Sequence, residues 1–191
     1  MIIEAGKSER HYWSDLWKYR ELFLFLSWRD ILVRYKQTSI GIIWALLRPV
    51  LTTIIFVIVF SRVAKMPSGG IPYPILVFSG MLPWQFFATA LSESSNSLVA
   101  NANMISKIYF PRLVVPASAI IVALTDFMIS LAILGAMMLF YGIMPTWHFL
   151  LIIPLTGLAF LAAFGAGVLL AALNVEYRDF RYVIPFIVQF G

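Results

Sequence analysis

The sequence predicts an all-α integral membrane protein: a bundle of membrane-spanning helices preceded by an amphipathic helix at the membrane surface. The 191 residues are 61% hydrophobic and only 12% charged, which leaves too little polar surface to coat a water-soluble globule of this size. The apolar residues also form runs of about 20, the length that crosses a hydrocarbon core about 30 Å thick. We therefore expect about four complete spans and the start of a fifth.

Charge and metal-ligating residues argue against several other classes of protein. The net charge of +5 would suit nucleic acid, but the basic residues mostly flank apolar runs and form no long cluster, so they indicate membrane topology. The chain contains no cysteine and only two histidines, which argues against a metal centre. We expect neither a nucleic-acid partner nor a bound metal.

Residues 1–39 are expected to form a cytoplasmic segment that contains the amphipathic helix. Residues 14–37 predict a broken helix lying along the membrane. Ser27, with Asp30 three residues later, is a plausible capping box at the break. One face of the second half would carry Trp28, Ile31, Leu32 and Tyr35, and the other Arg29, Asp30, Arg34 and Lys36.

Residues 40–191 are expected to form the transmembrane domain. In its first span, Arg48 either snorkels to the lipid headgroups or faces a polar interior. In its second span, Pro83 should kink the helix. The predicted spans are about 40–60, 75–91, 116–140 and 149–173, with another beginning at 183.

Asp126 lies near the middle of the third predicted span. Ionisable residues at that depth are costly and normally face protein or water. The side chain either makes a structural hydrogen bond to a neighbouring helix, together with Thr125, or relays protons. The absence of a second buried acid or histidine favours the structural hydrogen bond.

Small residues recur every four positions in the fourth predicted span. This spacing places them on one face of a helix and lets a second helix approach closely. We expect a packing face formed by Ala159, Ala163, Gly167 and Ala171.

The longest amphipathic interruption between apolar runs covers residues 98–116. Within residues 104–110 the apolar side chains have helical spacing, with Ser106 and Lys107 opposite them, and Pro111 ends the turn. Two interpretations stay open: this turn rests on lipid headgroups, or it packs against a protein outside the membrane.

The distribution of lysine and arginine predicts the orientation. Most basic residues lie before position 40, between the second and third spans, and after the fourth span, whereas the opposite side has only Arg62 and Lys65. By the positive-inside rule the first set is cytoplasmic. The amphipathic helix and both basic interruptions would then share the cytoplasmic face.

Three stretches resemble the permease subunits of polysaccharide-exporting ABC transporters, which export O-antigen, capsule and teichoic acid chains. These stretches follow one another in the family's order and cover nearly the whole chain. Family members complete the fifth span and add a sixth, so we expect the chain to be a fragment. The stretches are RYKQTSIGIIWALLRPVL from Arg34, FSGMLPWQFFATAL from Phe78 followed by SLVANANMISKIYFPRLVVPAS from Ser97, and NVEYRDF from Asn174.

The resemblance implies a homodimeric permease in the bacterial cytoplasmic membrane that moves a lipid-linked glycan. Two ATPase subunits on separate chains would bind ATP and Mg²⁺. This chain lacks the phosphate-binding pattern GxxxxGK[ST], so we expect it to be no enzyme and to bind no cofactor itself.

The resemblance also implies which residues contact the ATPase and the glycan. In the family, the loops after the second and fourth spans act as coupling helices that sit in clefts of the ATPases, which favours protein docking for residues 104–110. Aromatic side chains near the spans would suit stacking on sugars, although interfacial belts and helix packing explain them equally well. The coupling candidates are Met104, Ile105, Lys107, Ile108, Tyr109, Phe110, Arg112, Glu176, Tyr177, Arg178 and Asp179. The pathway candidates are Trp44, Arg48, Phe56, Trp84, Phe86 and Phe87.

Two other transport functions are alternatives. An ABC permease for a small molecule or drug is the nearest, and the second stretch of the resemblance argues against it. A secondary transporter would need an ion site near the midplane, for which Asp126 is the only candidate.

Overall fold

A computed structural model describes residues 16–36, 41–63, 70–177 and 179–190, with the side chains of residues 41–46, 48, 62 and 190 excepted. Every regular element in these ranges is helical, which confirms the predicted all-α fold. The α-helices are α1 (Arg20–Lys36), α2 (Gly41–Ile58), α3 (Tyr73–Ala100), α4 (Ala102–Ile105), α5 (Val114–Phe140), α6 (Ile152–Glu176) and α7 (Phe180–Phe190).

Among the described residues, three helices are long and apolar enough to cross a membrane: α3, α5, and α6 with the 3₁₀ turn that precedes it. They have 28, 27 and 30 residues, or about 40 to 45 Å at about 1.5 Å per residue. Shorter apolar stretches, Pro49–Ser61 and Phe180–Gln189, lie where the first span and the start of the fifth are predicted. A π-helical turn, Val59–Val63, follows α2.

Helix α3 lies at the centre of the bundle, because both α5 and α6 pack along it. The main apolar core lies between these three helices and includes Phe78, Leu82, Phe86, Ile120 and Phe127. The rings of Phe86 and Phe127 meet with centroids 5.1 Å apart. Helix α3 extends beyond the predicted second span, so Glu93 and the serines after it belong to a continuous helix.

The ladder of small residues on α6 packs as the sequence predicts. Ala163, Gly167 and Ala171 are buried, and Gly167 lies directly against Ser94 of α3. A Cβ atom on Gly167 would be 2.5 Å from Ser94 Oγ and 2.7 Å from Ser94 Cβ. Only glycine therefore fits this helix crossing in its present geometry.

Helix α5 ends in a Schellman motif. The Ile143 amide donates to the Met138 carbonyl oxygen at 2.9 Å, and the Gly142 amide donates to that of Leu139 at 3.1 Å. Gly142 has φ of +67°, a left-handed conformation that glycine adopts without a steric penalty. The chain then turns back toward α6.

The predicted capping box at Ser27 is wrong. Helix α1 passes through this position without a break, and the Ser27 hydroxyl donates to the Phe23 carbonyl oxygen one turn earlier, at 2.8 Å. Ser27 is buried within the helix. Its hydroxyl bonds to the preceding turn and therefore does not cap a helix end.

The two faces of α1 differ in how they lie relative to the bundle. Arg29 and Arg34 turn toward the bundle, whereas Trp28 is 62% exposed. The reason is that α3 and α5 present polar partners to α1, which satisfy its charged face. The apolar face, which includes Leu24, Phe25, Trp28 and Leu32, points away from the bundle.

Candidate functional site

Residues 102–112, which we name the docking segment, contain the first group of predicted coupling residues. Their helical part is a single turn, α4, after which the Lys107 and Ile108 amides both donate to the Met104 carbonyl oxygen at 3.1 Å. After Ile105 the chain forms turns as far as Ile108, and it has no regular secondary structure from Tyr109 to Pro111. The predicted helical spacing is therefore realised only in the first half of the segment.

The docking segment has an inner and an outer side. Phe110 is only 6% exposed and packs with Leu26, Val114 and Val115 in a second apolar core. Met104 and Ile105 pack against the same core. In contrast, Ile108 and Tyr109 are 59% and 53% exposed.

The surface that a partner could contact is therefore smaller than the predicted set. Phe110 belongs to the chain's own core, because the chain before Pro111 is no longer helical and the ring of Phe110 turns inward. Ile108 and Tyr109 form the apolar part of the outer side, and Lys107 and Arg112 are exposed beside them.

The second group of predicted coupling residues lies between α6 and α7. Glu176, Tyr177 and Asp179 are exposed, while Arg178 lies outside the described residues. The Asp179 carbonyl oxygen accepts from the amides of Tyr182 and Val183 at 3.0 and 3.3 Å, which starts the first turn of α7.

Both loops lie at the same end of α3. The docking segment directly follows α3, and Asn174, three residues before Tyr177, donates to the Ser95 carbonyl oxygen at 3.2 Å and to Asn96 Oδ1 at 3.1 Å. Asn174 is buried and fastens the end of α6 to α3. Asn174 begins the third stretch of the resemblance, and no role is predicted for it from the sequence. The sequence feature that could have indicated this contact is a polar asparagine at the end of an apolar helix.

A group of polar side chains joins α1 to the spans, and we name it the polar cluster: Arg34, Tyr35, Glu93 and Asp126. Arg34 Nη2 lies 2.7 Å from Asp126 Oδ2 of α5, and Nη1 lies 3.0 Å from Glu93 Oε1 of α3. The Tyr35 hydroxyl donates to Asp126 Oδ1. Asp126 thus bonds to another helix, as the favoured interpretation predicts, and that helix is the amphipathic α1.

Thr125 takes no part in this contact, contrary to the prediction. Its hydroxyl donates to the Ile121 carbonyl oxygen of its own helix at 3.0 Å. A threonine hydroxyl that bonds to the preceding helical turn points away from neighbouring helices.

Tyr35 acts as a hydrogen-bond donor in the polar cluster. Burial and the hydrogen bond to the Asp126 carboxylate raise the pKa of the Tyr35 phenol above its usual range, because both disfavour a second negative charge at this place. The phenol therefore keeps its proton and continues to donate.

Arg29 connects α1 to the docking segment. Its Nη2 donates to Asn101 Oδ1 at 3.0 Å and its Nη1 lies 3.8 Å from the Met104 sulfur. The same guanidinium pairs with Asp30 at 2.7 Å. One turn of α1 therefore holds the start of the docking segment through polar contacts.

Two cavities lie beside the polar cluster, and each is lined by apolar as well as polar side chains. A groove of about 390 Å³ between α1, α3 and α5 is lined by Arg29, Arg34, Glu93, Asn96 and Asn101 among others. A small inner cavity of about 40 Å³ between α2, α3 and α5 is lined by Thr53, Gln85, Thr89, Asp126 and Ser130 among others. Arg34 lines the groove and Asp126 lines the small inner cavity, and the two side chains form an ion pair with each other.

The predicted pathway residues lie in different environments. Phe86 is part of the main core, and Phe87 packs against that core and meets Trp84 with ring centroids 5.8 Å apart. Phe56 stacks on Phe60 at 5.7 Å and, like Trp84, remains partly exposed. The side chains of Trp44 and Arg48 lie outside the described part of the chain.

Comparison with known proteins identifies a family. A sequence model of the ABC-2 type transporter family matches residues 21–190, which include all but the first residue of α1, the spans and both predicted coupling loops.

Individual relatives agree with this match. The chain is 31% identical over 89% of its length to the O-antigen export system permease protein RfbA of Myxococcus xanthus, and 30% identical over 83% to the protein of the same name from Klebsiella pneumoniae. It is 23% identical over 87% of its length to the polysialic acid transport protein KpsM of Escherichia coli. The chain spans 65%, 61% and 64% of the lengths of these three relatives.

Proposed function

This chain belongs to the ABC-2 type transporter family, and from that premise we propose that it is the permease subunit of an ABC exporter for a lipid-linked polysaccharide. The observation that carries this proposal is the similarity along nearly the whole chain to permeases named for O-antigen export. The relative named for polysialic acid transport supports the same substrate class, a long glycan. Export would cross the bacterial cytoplasmic membrane.

The proposed assembly contains two copies of this permease and two ATPase subunits on separate chains, which bind ATP and Mg²⁺. The position of the docking segment supports this arrangement, because its outer side presents Ile108 and Tyr109 next to basic residues at the end of a span. Apolar residues exposed at such a place suit a protein cleft that excludes water. This subunit would perform no hydrolysis itself.

The polar cluster argues against a secondary transporter. An ion-coupled transporter needs a site near the midplane that can take up its ion. Both carboxylate oxygens of Asp126 already have partners, Tyr35 on one and Arg34 on the other. A coupling ion would have to displace a guanidinium from this carboxylate.

Genetic complementation tests the proposed function. The genes for the full-length permease and for its ATPase are deleted together, and cell-surface glycan is measured by antibody binding and by gel electrophoresis of the extracted polymer. We expect lipid-linked glycan to accumulate inside the cell, and export to return only when both genes are restored. Normal surface glycan together with reduced efflux of a small molecule would favour the drug-exporter alternative.

The charge distribution predicts the topology, which single cysteines can test because the chain has none. In intact cells, a membrane-impermeant maleimide should label Thr146→Cys and leave Lys107→Cys unlabelled until the membrane is permeabilised. The physical reason is the positive-inside rule. Labelling of Lys107→Cys in intact cells would contradict both the orientation and the ATPase contact.

A further inference from the structure

Helix α1 is attached to the rest of the chain in two different ways. Near its N-terminal half, the attachment is close apolar packing around Leu26, which is 1% exposed. Near its C-terminal end, the attachment consists of the charged and hydrogen-bonded contacts of the polar cluster. Apolar packing and charged contacts respond differently when one helix moves relative to another.

The packed end makes α1 and the docking segment one unit. Phe110 at the end of the segment, and Met104 and Ile105 at its start, all contact the core that contains Leu26. Arg29 adds the hydrogen bond to Asn101. Closely packed side chains transmit displacement, because the interior has few voids into which they can move. A shift of the docking segment therefore moves the first half of α1.

The polar end connects α1 to two spans at once. Arg34 reaches Glu93 on α3 and Asp126 on α5 with separate nitrogens of one guanidinium. Beside it, the groove of about 390 Å³ leaves space between α1 and these helices. Charged contacts across an open groove can break and form again without repacking a core, which is typical of elements that switch between two arrangements.

We propose that α1 is the lever that carries movement of the docking segment to the spans, and that Arg34 is the positioning residue through which it acts on α3 and α5. This inference rests on the proposed function, since the movement comes from the ATPase.

The test uses the full-length permease with its ATPase, reconstituted in vesicles that contain the lipid-linked glycan of the host. The two measured quantities are ATP hydrolysis and glycan transport for equal amounts of assembled complex. In Arg34→Gln and Asp126→Asn, we expect hydrolysis to continue and glycan moved per ATP to fall by at least about fivefold, the lower end of usual coupling between sites. The double variant should be no worse than Arg34→Gln alone, because Arg34→Gln already removes the contact with Asp126 that Asp126→Asn weakens.

Two further variants serve as controls. Lys36→Gln removes a positive charge two residues from Arg34 at an exposed position and should leave glycan moved per ATP unchanged. Arg34→Lys keeps the charge but cannot hold two carboxylates with a planar fork, so it should give an intermediate value.

Two results would overturn the inference. One is an unchanged ratio of transport to hydrolysis in both single variants. The other is loss of assembled complex in every variant of the pair, including the isosteric Asp126→Asn, which would make the cluster a folding element only. A wild-type complex that hydrolyses ATP and moves no glycan would instead contradict the proposed function.

Discussion

Replacing Tyr109 with alanine is expected to separate the ATPase from the permease or to leave it hydrolysing ATP without export. Tyr109 is half exposed on the outer side of the docking segment, and its ring is the largest side chain there. Buried aromatic anchors usually carry most of the energy of an interface, with losses of roughly 2 kcal/mol or more on truncation. The measurement is co-purification of the ATPase with the tagged permease, together with glycan export in the same cells.

The matched control is Lys107→Ala, two residues away on the same segment. A charge at the rim of an interface mainly affects the association rate and its salt dependence, so this variant should assemble and export at ordinary ionic strength. If Tyr109→Ala assembles and exports as well as Lys107→Ala does, the segment rests on the bilayer and does not dock. In that case the headgroup interpretation of residues 104–110 is correct.

Phe110, the neighbour of Tyr109, shows where sequence periodicity stops being informative. Both aromatic residues belong to one apolar pattern, yet the structure buries Phe110 and exposes Tyr109. The difference arises because α4 ends after one turn and the chain before Pro111 is not helical, so helical spacing no longer determines where successive side chains point. Helical spacing alone could not show that only half of the segment is helical.

Helix α1 shows a second limit of the sequence. Its helical character and its amphipathic pattern could be predicted, but not which face would meet the bundle. That choice depends on Asn101, Glu93 and Asp126, which lie about 60 to 90 residues away in the sequence. The charged residues and the apolar residues each form a continuous face on α1. Which face turns toward the bundle is therefore decided by the residues of the spans that α1 contacts.

The sequence could predict a contact for Asp126 and for the small-residue ladder, because each departs from the usual composition of an apolar helix. A carboxylate inside an apolar run requires a partner, although the sequence could not identify Arg34 and Tyr35 as that partner. Four small residues at intervals of four have no other evident use in a helix than close packing. The local sequence pattern therefore located both features, whereas the residues that they contact lie far away in the sequence and could not be predicted from it.

The ladder gives the second prediction with a large effect: Gly167→Ala should destabilise the folded bundle although it adds a single methyl group. That methyl would lie within 2.7 Å of two atoms of Ser94, and one of them, Cβ, cannot rotate away. Overpacking of this kind usually costs about 1 to 3 kcal/mol, and here it acts where α6 crosses α3. The measurement is the temperature at which half of the detergent-solubilised protein remains monodisperse after heating.

Two further variants separate the steric cause from a general effect of replacing glycine. Gly165→Ala, two residues earlier on α6, adds the same methyl with no atom within 4 Å and should leave the protein as stable or gain up to about 1 kcal/mol from helix propensity. Ser94→Gly in the Gly167→Ala background should restore much of the loss, because it removes the clashing atoms. Among the described residues, Ser94 Oγ has no hydrogen-bond partner, so its removal sacrifices no hydrogen bond. If Gly167→Ala and Gly165→Ala lose monodispersity at the same temperature, the absence of a side chain at residue 167 is not what allows α6 to pack against α3.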